Sequence, residues 1–172
     1  MRSFPKKKDE RVEIKNQQMS QIFCDGSCSP NPGCGGWAVL QIKNNVVCHE
    51  NGGREDQTTN NRMELTAFIY ALKLATSPDD IIYTDSRLSQ QICVSWLEGW
   101  KRKGWKKANG SPPENLDLVK ELDLHRRDYH NIEWIKAHVS NGSKNQEWNN
   151  RVDELANAYR KGEKTISTKK NM

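Results

Sequence analysis

The stretch TNNRMELTAFIYALKLATSPDDIIYTDS, residues 59–86, decides the architecture. From Arg62 to Thr76 its spacing predicts a helix. Leu65, Phe68, Ile69, Leu72 and Thr76 line one side, and Met63, Ala67, Tyr70, Ala71 and Leu74 fill another. A helix apolar on nearly every face belongs in a core. Asn61 stands where a cap is needed, with Glu64 at the third helical position of a capping box. Ser77-Pro78 ends the helix. Ile81 to Thr84 is then apolar without alternation, the pattern of a strand covered on both faces. Asp85-Ser86 opens a second helix that runs to about Trp96. A strand reached through a helix pairs in parallel with an earlier strand, which makes this an α/β protein.

Upstream, Met19 to Cys24 reads as a strand that stops at Asp25-Gly26-Ser27. Ser29 to Gly36 is turn chemistry throughout, rich in Pro and Gly. Trp37 to Ile42 is a second strand and Val46 to Glu50 a third, joined by a hairpin turn at Asn44-Asn45. Asn51 to Asn60 reads as a polar loop. Downstream lies a basic block from Glu98 to Pro113. A helix follows from Leu116 to Arg127, then a strand from Ile132 to Lys136 and a loop from Val139 to Gln146. The last helix spans about Glu147 to Lys161, with Val152, Leu155, Ala156 and Tyr159 at helical spacing. The expected fold is a five-stranded mixed sheet, three antiparallel strands followed by parallel ones, flanked by helices. Residues 19–161 form its single domain, between a polar arm at 1–18 and a tail at 162–172. A chain of 172 residues suits one domain of this kind.

The net charge of +5 is unevenly spread. Residues 1–20 carry +3 and residues 162–172 carry +2, so the body is neutral overall. Within it, residues 98–111 hold Lys101, Arg102, Lys103, Lys106 and Lys107 against Glu98, which leaves the rest of the body acidic. One basic block beside a local acid excess fits a polyanion binder with a metal site, and equally an ordinary solvated surface. Cys24, Cys28, Cys34, Cys48 and Cys93 are an odd set without finger spacing, so reduced thiols are expected rather than a disulfide framework or a zinc site. No segment approaches 18 apolar residues and none is of signal-peptide type, so the expected location is cytoplasmic, away from any membrane.

Two acids, Asp25 and Asp85, directly follow strands, where open α/β sheets place their ligand crevice. Glu64 stands in the first turn of the buried helix and Asp153 beside the apolar stripe of the last one. Four such acids near buried surface need a positive partner, and a hard divalent cation such as Mg²⁺ supplies one. Each also has a purely structural reading. Asp25 could shape an Asx turn, Glu64 could complete a capping box, Asp85 could cap the next helix, and Asp153 could pair with Arg160.

The strings Asp25-Gly26-Ser27, Asn31-Pro32-Gly33, Thr59 to Leu65, Thr84-Asp85-Ser86, Trp96 to Lys106, Asn115-Leu116-Asp117, Trp134 to His138 and Val152 to Ala156 occur in one order. In this the chain resembles ribonuclease H of the bacterial type, type 1, from about residue 20 to 161. The resemblance implies an endonuclease that hydrolyses the RNA strand of RNA/DNA hybrids and leaves 5′-phosphate and 3′-hydroxyl ends. Asp25, Glu64, Asp85 and Asp153 match carboxylates that hold two Mg²⁺ ions, with Mn²⁺ as a possible substitute, and the enzyme is expected to be monomeric. His138 matches a mobile histidine that assists the reaction and product departure. Asn31, Thr59 and Asn115 match residues that hold substrate backbone, and Asn60 and Arg87 fall near positions that approach the minor groove. Trp100, Lys101, Arg102, Lys103, Trp105, Lys106 and Lys107 match a handle that grips the DNA strand. The loop between His138 and Asp153 is several residues longer than in the common bacterial form, which leaves His138 less firmly placed than the acids. A non-catalytic hybrid binder, a domain cut from a reverse-transcribing polyprotein and an unrelated interaction protein are the alternatives; the four acids weigh against the first.

Overall fold

The computed structural model describes residues 19–163. The expected arm at 1–18, and the tail from residue 164 on, lie outside the described residues. The strands are β1 (Gln21–Cys28), β2 (Gly33–Lys43), β3 (Val46–Thr58), β4 (Ile81–Thr84) and β5 (Asn131–Trp134). The helices are α1 (Asn60–Leu74), α2 (Arg87–Gln91), α3 (Leu97–Arg102), α4 (Leu116–His125) and α5 (Lys144–Arg160), with a π-helical stretch (Ile92–Trp96) joining α2 to α3. The five strands form one sheet in the order β3-β2-β1-β4-β5. β1, β2 and β3 pair antiparallel; β1 with β4 and β4 with β5 pair parallel. The mixed α/β sheet is therefore as expected.

Strand alternation sends successive side chains of β1 to opposite faces. Ile22 and Cys24 join a core with Leu65, Phe68 and Leu72 of α1. Phe23 points the other way, into a core with Val152, Ala156 and Tyr159 of α5, and stacks on Tyr83 at 4.8 Å. Two glycines permit the close helix contacts. A Cβ on Gly26 would strike the backbone of Met63 and Glu64 in α1, and one on Gly36 would strike the backbone of Ala156 and Arg160 in α5. Asp80, 3% exposed, ties the start of the sheet to the end of α1: it accepts from Ser20 N and Oγ at 2.9 Å and from Thr76 N and Ser77 N at 3.1 and 3.2 Å.

Several boundaries differ from the sequence reading. β1 does not stop at Cys24; it runs on to Cys28 because β2 continues beside it, Asp25 facing Ala38 and Cys28 facing Gly35. Gly33 to Gly36 therefore belong to β2 rather than to a turn. The supposed loop from Asn51 is most of β3, paired from Asn51↔Val39 to Thr58↔Gly33. Its polar composition reflects an edge strand, for which one ladder suffices and much of the surface faces water. The Asn44-Asn45 turn is as read, with both residues at positive φ (51° and 58°), which the hairpin geometry requires. Thr59, not Asn61, caps α1, accepting from Arg62 N at 3.2 Å. The last helix begins at Lys144 rather than Glu147, because Ser143 caps it through Gln146 N. The basic block is helical only to Arg102; Gly104 and Trp105 then take positive φ and turn the chain. β5 and α4 end two residues earlier than expected.

Candidate active site

The sheet register builds the site. The parallel ladder between β1 and β4 ends at the pair Cys24↔Thr84. Asp25 and Asp85 are the next residue on each strand, so neighbouring parallel strands, about 4.8 Å apart, deliver the two acids side by side. Gly26 lets the first turn of α1 sit on β1, which brings Glu64 in from one face of the sheet. α5 brings Asp153 from the other. Carboxylate oxygens of Asp25, Glu64 and Asp85 lie within 4.8 Å of one another. Asp153 lines the same concavity, together with Ser27, Asn60, His138 and Asn157.

Electrostatics mark this cluster. Burial pushes the Asp25 carboxyl well above its usual range, and the neighbouring charges of Asp85 and Asp153 add to the effect. Burial also raises Glu64, against hydrogen bonds from Ser86 and Asn60. Burial raises Asp85, while hydrogen bonding to Asp25 pulls it back. Like charges held together in a partly dry pocket favour protonation unless a cation joins them. His138 stands beside them: its Nδ1 lies 3.7 Å from Asp153 Oδ2, and its side chain is 75% exposed. An all-oxygen set crowded in this way fits a hard divalent cation.

The purely structural readings do not hold. Asp25 Oδ1 accepts at 2.8 Å from the N–H of Gly26, the next residue of a continuous strand, so it shapes no Asx turn. Glu64 does not close a capping box, since Thr59 is the cap. Asp85 does not cap α2; Ser86 does, accepting from Ser89 N at 3.1 Å. Arg160 turns to Ser27 and Asn157, not to Asp153.

Beside the acids, Asn31, Thr59, Asn60 and Asn115 gather at the start of α1. Asn31 Oδ1 accepts from Asn60 N at 3.1 Å, and Arg62 donates to Asn115 Oδ1 at 3.3 Å while forking onto Asp117 at 2.8 and 3.0 Å. Arg87 stands apart, its guanidinium 3.6 Å from the centre of the Trp134 ring. In the basic block Trp100 and Trp105 pack against the core, so they anchor the segment rather than face out. Lys101 is paired with Asp123 at 3.0 Å. Arg102, Lys103 and Lys106 are exposed and have no ion pair among the described residues, whereas Lys107 is half-buried and lines an apolar groove with Trp96 and Trp100. The sequence reading missed Asn149, which is 1% exposed beside Asp85, and the Ser27, Asn157 and Arg160 group at the pocket rim. Helical spacing from Asp153 offered a signal for the last two. Nothing in the sequence marked Asn149.

The RNase H family model matches residues 15–161, and the chain belongs to the ribonuclease H family. Within that family it groups with bacterial type 1 members. It is 42% identical to the ribonuclease H of a Cyanothece species, over 86% of this chain and 92% of that protein. It is 44% identical to ribonuclease HI of Neisseria meningitidis, over 81% of this chain and 94% of that one. Among solved structures, the foamy viral protease-reverse transcriptase in complex with RNA/DNA hybrid superposes with a TM-score of 0.71 at 18% identity, over 93% of this chain and 21% of that one. The five thiols are free, and no helix among the described residues is long and apolar enough to cross a membrane.

Proposed function

We propose that this chain hydrolyses the RNA strand of RNA/DNA hybrids, leaving 5′-phosphate and 3′-hydroxyl ends, as a monomeric Mg²⁺-dependent endonuclease. The observation that carries the reading is the meeting of Asp25 and Asp85 just past the Cys24↔Thr84 pair, with Glu64 within 4.8 Å. With Asp153 they form a set of oxygen ligands for two Mg²⁺ ions, Mn²⁺ being an acceptable substitute. When bound, such ions lower the pKa of water and neutralise the departing oxygen. The protein's own groups then do the rest. Asp25, deeply buried between Gly26 and Ala38, fixes the depth of the site. His138, exposed and close to Asp153, is placed to hand a proton to the leaving 3′-oxygen and to release product. Asn31, Thr59, Asn60 and Asn115 form a polar cradle for substrate backbone. Arg87 lies toward the minor groove, where 2′-hydroxyls distinguish RNA. Arg102, Lys103 and Lys106, with Lys101 and Lys107, form the handle for the DNA strand, set on Trp100 and Trp105. Phosphate contacts of this kind position a duplex without reading its sequence, so cleavage is weakly sequence-dependent. Domain limits of 19–161 and a cytoplasmic location fit this reading.

The test is incubation of the purified protein with end-labelled RNA/DNA, RNA/RNA and DNA/DNA duplexes, with Mg²⁺ or with EDTA. Cutting of the RNA strand of the hybrid alone, only with metal, is the expected result. Binding without cutting would instead make the chain a hybrid-binding module.

A further inference from the structure

Asp153, Asn157 and Arg160 stand at i, i+4 and i+7 of α5, so they share one stripe of that helix. Side chains on a helix lean toward its N-terminus, which carries the Arg160 guanidinium back toward the carboxylate pocket rather than off the helix end. Its contacts follow that direction. Arg160 Nε donates to Ser27 Oγ at 3.2 Å, and Nε and Nη2 both reach Asn157 Oδ1 at 3.4 Å. Ser27 Oγ donates to the same Asn157 oxygen at 2.6 Å, and Asn157 Nδ2 donates to Asp153 O at 3.2 Å. Ser27 and Asn157 line the concavity that holds the four acids. The guanidinium is thus half-buried and fixed at the pocket rim by neutral oxygens.

Its charge is left over. Arg62, Arg126 and Lys101 each face a carboxylate, but Arg160 has no acidic partner among the described residues. A guanidinium carries five N–H donors in a planar fork, and the contacts with Ser27 and Asn157 leave Nη1 free of them. Such a fork suits a phosphate, and prior fixing lowers the entropy lost on binding one. A strand that lies over Ser27 and Asn157 as it enters the carboxylate pocket would meet this guanidinium.

We infer that Arg160, set by Ser27 and Asn157, binds the RNA-strand phosphate next to the one that is cut. The inference rests on the nuclease reading above. It assigns Arg160 to substrate binding and makes Asn157 the positioning residue that couples it to the Asp153 turn.

The experiment uses the full chain and hybrids with one defined cut site, carrying a single uncharged methylphosphonate on its 5′ or its 3′ side. For the unaltered protein, one of the two modified hybrids should lose about tenfold in kcat/KM, the scale of one charge-assisted contact. Arg160→Gln should lose about tenfold on the normal hybrid and nothing further on that modified one. In an Asp25→Asn background, where nothing is cut, Arg160→Gln should weaken hybrid binding and lower its salt slope by roughly 0.9, one phosphate's worth. Thermal melting checks that the variant folds, and the modified hybrids test the unaltered protein whether it does or not. Independent, multiplying losses from the variant and the modification would overturn the inference, as would normal cutting of both modified hybrids by the unaltered protein. A protein that cuts no hybrid at all would instead defeat the nuclease reading.

Discussion

Asp25 is the most buried of the four acids, at 5% exposure, and bears the charges of Asp85 and Asp153. Asp25→Asn or Asp85→Asn should therefore lower Mg²⁺-dependent cleavage by about a thousandfold or more, the upper range for a preorganised electrostatic group, in a chain that still folds. Near-normal turnover of either variant at saturating Mg²⁺ would remove the metal assignment. The same change has a signature in stability. The ordinary values are 3.8 for Asp25 and Asp85 and 4.5 for Glu64, and all three are raised in the fold. A raised acid contributes stability that is fully present below its unfolded value and is lost as pH rises through its folded value. Metal-free protein should thus lose stability as pH rises beyond the ordinary carboxyl values of 3.8 and 4.5, and Asp25→Asn should lose less. Melting in EDTA at pH 5 and pH 8 should show the variant gaining on the parent as pH rises, and Mg²⁺ should close the gap. His138→Ala should slow single-turnover cleavage by about a hundredfold, the scale of a general acid, with hybrid affinity almost unchanged. Equal rates in variant and parent would leave His138 without a part. The position of each acid at the end or on the flank of an apolar run made it a candidate, but each alone kept a structural reading, and it was the family resemblance that set the four together. Arg160 was legible only as a helical neighbour of Asp153; its engagement with Ser27, far away in sequence, was not.

At the scale of elements, the junction of β1 with α1 governs the spacing of the site. Gly26→Ala would push a methyl group into the backbone of Met63 and Glu64. Overpacking against backbone falls at the upper end of about 1–3 kcal/mol, so denaturant melts should show that loss, and activity should fall further because Glu64 moves with its helix turn. Full activity and stability would mean that α1 yields more freely than its contacts imply. The handle gives a separable expectation. Lys101 is engaged with Asp123 and Lys107 is half-buried, so Arg102, Lys103 and Lys106 are the handle cations that are both exposed and without an ion pair among the described residues. Changing these three together to Gln should raise KM for the hybrid by about tenfold or more and reduce turnover at saturation much less, because the carboxylates are untouched. It should also flatten the salt dependence of binding; an unchanged affinity and slope would make the block an ordinary surface. Here the sequence was a partial guide. Helices and central strands announced themselves by periodicity and apolar runs, and α1 and β4 are close to their expected limits. β3 did so only from Val46 to Glu50, since Asn51 to Thr58 carries Gly52, Gly53 and a charged run that reads as loop. It is a strand because β2 offers it a full ladder, and pairing of that kind is long-range information that no local pattern contains.

Over the whole molecule, the sheet separates two cores, and the candidate site sits where both meet the end of the β1–β4 ladder. Helices from opposite faces must dock before Glu64 and Asp153 can reach the same pocket. Not every ion pair reports on that state. Asp117, held near 2 by Arg62, is largely exposed, so its contribution, present above pH 3.8 and lost as pH falls through about 2, should be small. The Cys24↔Thr84 pairing carries a further consequence. Side chains alternate along a strand, so a slip of one residue between β1 and β4 would point Phe23 and Cys24 into each other's cores and part Asp25 from Asp85. A misaligned chain could be compact and rich in secondary structure, yet catalytically silent. Specific activity per folded molecule is therefore a zipper gauge: after refolding, it counts the fraction of chains whose two central strands closed on the right tooth.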